Sequence, residues 1–395
     1  MSCQKRKEIE MKEIHTNGIA IIDEEQGSVD TTPRVNKFKV RVSCPTFNHF
    51  RFIKEAMDGF CIQETAFPFV CSIFDDASSD GEQDILKEYL QEHFDLEDNL
   101  TTRIKETADY HLTFAQHKTN KNCFFLVVQL KYNHYSLGKS VMPYIEEWNN
   151  TKYIAICEGD DYWIDPKKLE KQVAFLEGHP DFTMVCNRTQ LYSEKKKSLI
   201  GESFCYNEDQ IVDAKDVIRR TGLFISSCSI VFLGSIQDNM PDYWQQCKVA
   251  DYPLQIMCAM RGHVFYLNEI MSVYRVENLS SWMGQQQWGT VSLARMEVIK
   301  SQVKMFVGFS IDFPEYKKVF QNKIADHINR NCPCRVMSNG DMNDYLNYFA
   351  EEIKTYTLKW KIDLWIRSSR VNLLRRCYTD LFLGKYQQRK LLYSR

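Results

Sequence analysis

The segment Cys157-Glu158-Gly159-Asp160-Asp161-Tyr162-Trp163 constrains this chain more than any other. It follows Tyr153-Ile154-Ala155-Ile156, an apolar run of strand length. Three carboxylates within four residues, at the end of a buried strand, repel one another and cost free energy unless something neutralises them. A hard divalent cation does this. A few carboxylates completed by a ligand's phosphates suit Mg²⁺ or Mn²⁺. A second acidic pair, Asp75-Asp76 in FDDASSDG, ends another apolar run, Phe67 to Phe74. Two strands ending in acidic loops suggest one cleft at the carboxyl edge of an α/β sheet, where such sheets bind ligands. Either loop alone also reads as a plain Asp-rich turn.

Composition narrows the classes. The 395 residues hold one large catalytic domain plus an accessory region, or two domains. A net charge of −2 gives no whole-chain case for nucleic acid binding. The charge is uneven, however: from Ile353 to Arg395 eleven Lys or Arg stand against two acids, Asp363 and Asp380. The 14 cysteines are almost all isolated, and Cys332-Pro333-Cys334 has no second pair to complete a zinc site. Many sit in apolar runs such as FVCSIF, where Cys acts as a small buried hydrophobe. Reduced thiols and a cytoplasmic setting are the expectation. The opening MSCQKRKEIEMKEIH lacks the apolar core of a signal peptide. No run approaches the roughly 18–20 apolar residues that span a bilayer. The chain therefore reads as soluble, or at most peripheral on the inner face of a membrane.

Residues 1–36 read as a polar tail. Lys37 to Ser43 alternates and reads as a strand, ended by Pro45-Thr46-Phe47-Asn48. Helical spacing covers Phe50 to Cys61 and Glu82 to His93; Pro68 to Phe74 and Cys123 to Leu130 read as strands. Asp95 to Asn122 reads as an irregular insertion with its own short helix. Ser140 to Trp148 reads as a helix and Tyr153 to Cys157 as a strand. Pro166 opens a helix over Lys167 to Leu176. Phe182 to Cys186, Phe224 to Leu233 and Phe265 to Arg275 read as strands, Asp251 to Met260 as a helix, and the rest from about Thr290 as helical. The β-α-β-α-β-α-β order predicts a mainly parallel sheet with helices on both faces.

Four pieces in this order, VRVSCPTFNHFRFIKEAMDGF, FVCSIFDDASSDG, LKYNHYSLGKS and KYIAICEGDDYWIDPKKLEKQVAFLEGHPDF, resemble family 2 nucleotide-sugar glycosyltransferases of the GT-A fold, nearest to bacterial members that build surface polysaccharides. The resemblance covers about residues 38 to 285. It implies a GT-A domain over 37–285 and leaves 286–395 as a helical accessory region, basic near its end. By resemblance, Pro45, Thr46 and Asn48 pack against the nucleotide base. Asp76, with Asp75 beside it, accepts a hydrogen bond from a uracil-like N–H, which favours a UDP-sugar donor. Asn133, Gly138 and Lys139 border the nucleotide, Lys139 as a point charge for phosphate. Asp161, Asp160 and Glu158 match the acidic group that holds Mn²⁺ or Mg²⁺ bridging the two phosphates. Relatives often carry Asp where Glu158 stands. Asp251, in Val249-Ala250-Asp251-Tyr252, matches the general base that faces the acceptor, although relatives often have Glu-Asp there. Arg275 lies in a closing loop, YRVENLSSW, and could pair with phosphate.

The same residues have plainer readings. Asp75 suits a helix cap, and Asp251 equally an N-cap. Lys139 suits a solvated helix start, and Arg275 a structural carboxylate partner. Tyr162 and Trp163 read as packing under the acidic loop. No Q-x-x-R-W element is present, since Gln285-Gln286-Gln287-Trp288 lacks the Arg, so transfer of a single sugar is expected. The implied acceptor is a glycan or a lipid-linked sugar. The alternatives are a catalytically dead GT-A module that binds ligand or partner, and a sugar nucleotidyltransferase. The Gly-free loop PTFNHFRF counts against the latter. The tail from Ile353 reads either as a basic amphipathic membrane contact or as a helical subdomain packed on the core.

Overall fold

The computed structural model describes residues 38–98, 101–220, 224–238, 240–277, 292–332 and 339–368. Residues 1–37, like Asn278 to Trp288 of the closing segment, lie outside the described residues. The remainder is built on one mixed sheet of thirteen strands. In chain order these are β1 Val40–Thr46, β2 Phe69–Asp75, β3 Phe94–Asp95, β4 Arg103–Glu106, β5 Tyr110–His117, β6 Cys123–Leu130 and β7 Tyr153–Ile156. They continue with β8 Tyr162–Trp163, β9 Phe182–Ser193, β10 Ser198–Ser203, β11 Gln210–Ile211, β12 Val231–Leu233 and β13 His263–Val276.

The centre is parallel. β1 lies between β2 and β7, and β6 pairs with β2, all running the same way. Every residue of β2 and β6 is buried, as continuous apolar strands covered on both faces must be. Helices Ile53–Cys61, Glu82–His93 and Lys168–Gly178 supply residues to the core over one face. Ile53, Ala56, Met57 and Phe60 make the buried stripe of the first, at helical spacing.

Both flanks depart from the expected pattern. The stretch expected to be irregular forms β4 and β5, antiparallel to each other, and β5 pairs antiparallel with β6. The alternation of Tyr110, Leu112 and Phe114, which pack in one core with Phe38 and Phe124, is what makes β5 a strand. On the other flank β12 lies antiparallel between β7 and β9, and β13 runs parallel to β9. β9 extends well past Cys186 although its second half is polar, because Arg188 ion-pairs with Glu202 of β10 and Thr189 bonds Ser272 of β13. The helix expected over Ser140 to Trp148 is a 3₁₀ turn, Met142–Ile145, followed by one turn at Glu146–Asn149.

Helices Leu293–Asp312 and Lys317–Asn331 share one core with β9, β12 and β13, through Phe306, Phe309, Phe320, Ile328, Met184, Phe232 and Tyr266. Tyr345, Tyr356 and Leu364 complete that core. The C-terminal helices therefore pack on the sheet. Among the described residues no helix is long and apolar enough to cross a membrane.

Candidate functional site

The ends of β1, β2, β6 and β7 lie side by side, so the loops after them meet at one edge of the sheet. After β7 the chain turns through Glu158 to Asp161, and β8 then pairs with β13. Carboxylate oxygens of Glu158, Asp160 and Asp161 lie within 4.8 Å of one another. The backbone N–H of Arg275 donates to Asp161 Oδ1 at 2.8 Å, while the buried Oδ2 has no hydrogen-bond partner. Such an orphan is costly and fits a cation ligand. Burial, and then the charges of Asp160 and Glu158, push Asp161 well above the usual carboxylate range. Burial, with Asp160 and Asp251 adding to it, pushes Glu158 up to about 8.

Asp251 thus shares the electrostatic field of this triad. It is the first residue of helix Asp251–Arg261, and Ala250 takes the N-cap position. Burial pushes its carboxyl up, against the N–H groups of Tyr252 and of Asp251 itself. The Tyr274 phenol is raised by burial and then by the charges of Asp161, Glu158, Asp160 and Asp251, so it lies in the field of all four carboxylates.

Arg275 is engaged on every guanidinium nitrogen. Nε donates to Glu194 at 3.0 Å, one terminal nitrogen to the carbonyl of Asp160 at 2.5 Å, and the other to Glu55 at 2.5 Å. The guanidinium also lies 4.6 Å from the Tyr162 ring centre and 4.9 Å from that of Phe52. These contacts are of the structural kind: Arg275 ties the acidic loop to Glu194, just past the end of β9, and to helix Ile53–Cys61. Below the loop, buried Trp163 donates to the carbonyl of Cys228 at 2.8 Å.

The neighbouring edge is closed by its own bonds. Asp75 ends β2, buried; Oδ1 accepts from Ser78 N–H at 3.1 Å and Oδ2 accepts from Gln83. Burial pushes its carboxyl up to about 6. Asp76 accepts from the backbone N–H of His134 at 2.6 Å and of Tyr135 at 3.1 Å. Asn133 donates to the Asp76 carbonyl at 3.1 Å and accepts from Ser136 N–H at 2.7 Å. Asn48, at φ 56°, donates its N–H to Ser78 Oγ at 2.8 Å and accepts from Ser79 N–H at 2.9 Å. Pro45 pairs with Phe74 in the β1–β2 register. Gly138, at φ 64°, gives the loop its left-handed turn. Exposed Lys139 donates to the Tyr132 hydroxyl at 3.1 Å and lies 4.7 Å from that ring's centre.

Two residues overlooked in the sequence join the halves. Fully buried Glu82 accepts from Thr46 Oγ1, from His49 N–H at 2.8 Å and from Ser78 Oγ at 2.9 Å. The ring of His49 has Nδ1 at 3.1 Å from Thr46 Oγ1 and Nε2 at 3.9 Å from Asp160 Oδ2. A Cβ on Gly159 would come within 2.2 Å of Thr46 Oγ1, so the acidic loop can lie this close only as glycine. Glu82 reads in sequence as an ordinary acid in a helix's first turn, and nothing local marks it as buried.

No family model matches the chain. Among curated proteins it is 29% identical over 238 residues to the uncharacterized proteins Rv1520 of Mycobacterium tuberculosis and Mb1547 of Mycobacterium bovis, covering 60% of this chain. The match spans 58% of the length of those relatives. In fold it is similar to residues 1–349 of S. aureus TarS, solved in complex with UDP-GlcNAc, at TM-score 0.55 and 14% identity, over 83% of this chain and 84% of that one. The same fragment solved with UDP gives TM-score 0.52 at 14% identity, over 89% and 91%. The chain thus has the GT-A fold of glycosyltransferases, a mixed α/β sheet with a helical C-terminal region.

Proposed function

We propose that this chain is a metal-dependent family 2 glycosyltransferase of the hexosyltransferase class. It moves one sugar from a nucleotide-sugar donor, with UDP favoured, to a hydroxyl of a glycan or lipid-linked acceptor in bacterial surface-polysaccharide synthesis. Residues 37–285 form the catalytic domain and 286–395 the accessory region. The observation that carries the reading is the triad Glu158, Asp160 and Asp161, with an orphaned buried oxygen on Asp161 and Asp251 in the same field. Those three carboxylates fit Mn²⁺ or Mg²⁺. When bound, the cation supplies positive charge against the leaving diphosphate.

The protein's own residues do the rest. Asp251, ionised, takes the proton from the acceptor hydroxyl as its oxygen attacks the anomeric carbon and the bond to the diphosphate breaks. This single displacement inverts the centre and needs no protein nucleophile. Arg275 holds the loop carbonyl of Asp160 in place, while Pro45, Thr46, Asn48, Asp75, Asp76, Asn133, Gly138 and Lys139 frame the nucleotide. The intact acidic set separates this reading from an inactive nucleotide-binding module. Asp251→Asn should lower kcat by about 10²–10⁴-fold with nearly unchanged nucleotide binding. Normal turnover in that variant, or a product retaining the donor configuration, removes the base assignment. A panel of nucleotide sugars screened for Mn²⁺-dependent hydrolysis identifies the donor, and no hydrolysis of any member argues for the inactive module.

A further inference from the structure

Helix Leu358–Ser368 has two apolar faces. One turns inward. Leu364 is buried, and Trp360 packs on the core with its indole N–H donating to Asn322 at 2.9 Å. Asp363, the one acid of the helix, is buried as well and accepts from Asn329 at 2.7 Å. The other face turns outward. Leu358 is 74% exposed, Ile362 47% and Trp365 62%. At about 100° per residue these three fall within a stripe of roughly 60°. On the same wheel Lys359 lies to one side of the stripe and Lys361 to the other, both exposed. Exposed Lys354 precedes the helix on the last turn of Ala350–Lys354.

An apolar stripe bordered by lysines on both sides, with its only acid turned inward, matches the chemistry of an anionic bilayer surface. Aliphatic and Trp side chains enter the headgroup boundary while the lysines meet lipid phosphates. Charge complementarity extends along the chain: residues 369–395 carry seven Lys or Arg and one acid, Asp380. A second copy of the chain would set lysines against lysines across a two-fold axis, which disfavours self-association through this face.

We propose that the outward face of helix Leu358–Ser368 docks this protein on an anionic membrane surface. The surface lies on the accessory region, and the proposal stands whether or not the transferase reading does. Cutting the chain before this helix is a poor test, because it would strip Trp360 and Leu364 from the core. Substitutions on the exposed face are cleaner.

The experiment is flotation of the full chain with vesicles of phosphatidylglycerol and, separately, of phosphatidylcholine. Binding to the anionic vesicles only is expected, weakened about tenfold in high salt. Leu358→Glu with Ile362→Glu, and separately Lys359→Glu with Lys361→Glu, should each cut vesicle partition by about tenfold or more. Melting temperature and nucleotide-sugar binding should stay at the unsubstituted values in both variants. The proposal is overturned by equal binding to neutral vesicles, by no flotation of the unsubstituted chain, or by unchanged flotation of either variant. A dimer in lipid-free solution that the Leu358→Glu, Ile362→Glu variant abolishes would also overturn it, in favour of a self-association face.

Discussion

Two acidic loops stand at the same edge of the sheet and are treated in opposite ways. At the end of β2, Asp75 and Asp76 have both carboxylates met by protein donors: Ser78, Gln83, His134 and Tyr135. At the end of β7, three carboxylates crowd within 4.8 Å, and one buried oxygen has no donor. A satisfied carboxylate holds a loop in shape, whereas an unsatisfied one stores a binding free energy that a cation releases. In the proposed transferase, the first loop frames the ligand and the second is where a cation adds charge.

Removing that stored charge should give the largest effect. Asp161→Asn keeps an acceptor for the Arg275 N–H but deletes a negative charge. Transfer should fall by about 10³-fold or more, by analogy with the loss of one preorganised electrostatic group. Mn²⁺ affinity, measured by calorimetry, should fall with it, and the metal-free protein should melt no lower than the unsubstituted chain. Near-normal turnover in Mn²⁺ would collapse the contrast between the loops.

Next comes the clamp. The Arg275 side chain is almost fully buried and joins Glu194, Glu55 and the carbonyl of Asp160. Arg275→Ala should cost up to about 3–5 kcal/mol of stability, because the acidic loop loses a buried clamp and Glu194 keeps only the exposed Lys197 as a cationic partner. Denaturant unfolding measures it. If Arg275 instead served mainly as a phosphate partner, stability would hold and donor affinity alone would fall.

The same contrast predicts a pH dependence. Glu158, raised to about 8, contributes stability that is fully present below its ordinary value near 4.5 and lost as pH rises through 8. Between pH 5 and 8 the metal-free protein should therefore lose roughly 2–4 kcal/mol. Saturating Mn²⁺ should flatten that slope, since binding favours the ionised form. Thermal melts with and without metal, across this range, decide whether the triad repels itself as described. A flat metal-free profile would mean it does not.

Much of this was legible in the sequence because the parallel centre is written locally. Glu82–His93 and Cys123–Leu130 have the bounds that their spacing and apolar runs predict. The triad was legible because three acids after a buried strand have few uses. The flanks were not. The alternation that makes β5 a strand covers only Tyr110, Leu112 and Phe114 inside a polar stretch, and the second half of β9 is a strand by pairing with β13, about 80 residues further along the chain. Glu82 and His49 escaped because they meet across loops: Glu82 accepts from Thr46 and from His49 N–H, and the His49 ring lies beside Asp160. The C-terminal stripe was visible as apolar and basic. Only the packing divides it, sending Trp360 and Leu364 inward and Leu358 and Ile362 outward.

The smallest effect tests whether the scaffold edge keeps any charge of its own for the ligand. Lys139 is exposed and touches only Tyr132 among the contacts described for it, through its hydroxyl and its ring. Such a contact contributes little to stability, so Lys139→Ala should change the unfolding free energy by less than about 0.5 kcal/mol. A point charge beside a diphosphate acts on binding instead. The KM for the donor should rise by about three- to tenfold with kcat kept, the pattern of lost uniform binding. Lys139→Arg should restore part of it, since the cation returns on a longer, planar head. Unchanged KM in both variants would leave Lys139 as a solvated turn residue, and the edge after β2 and β6 would then act on the nucleotide through shape and hydrogen bonds alone.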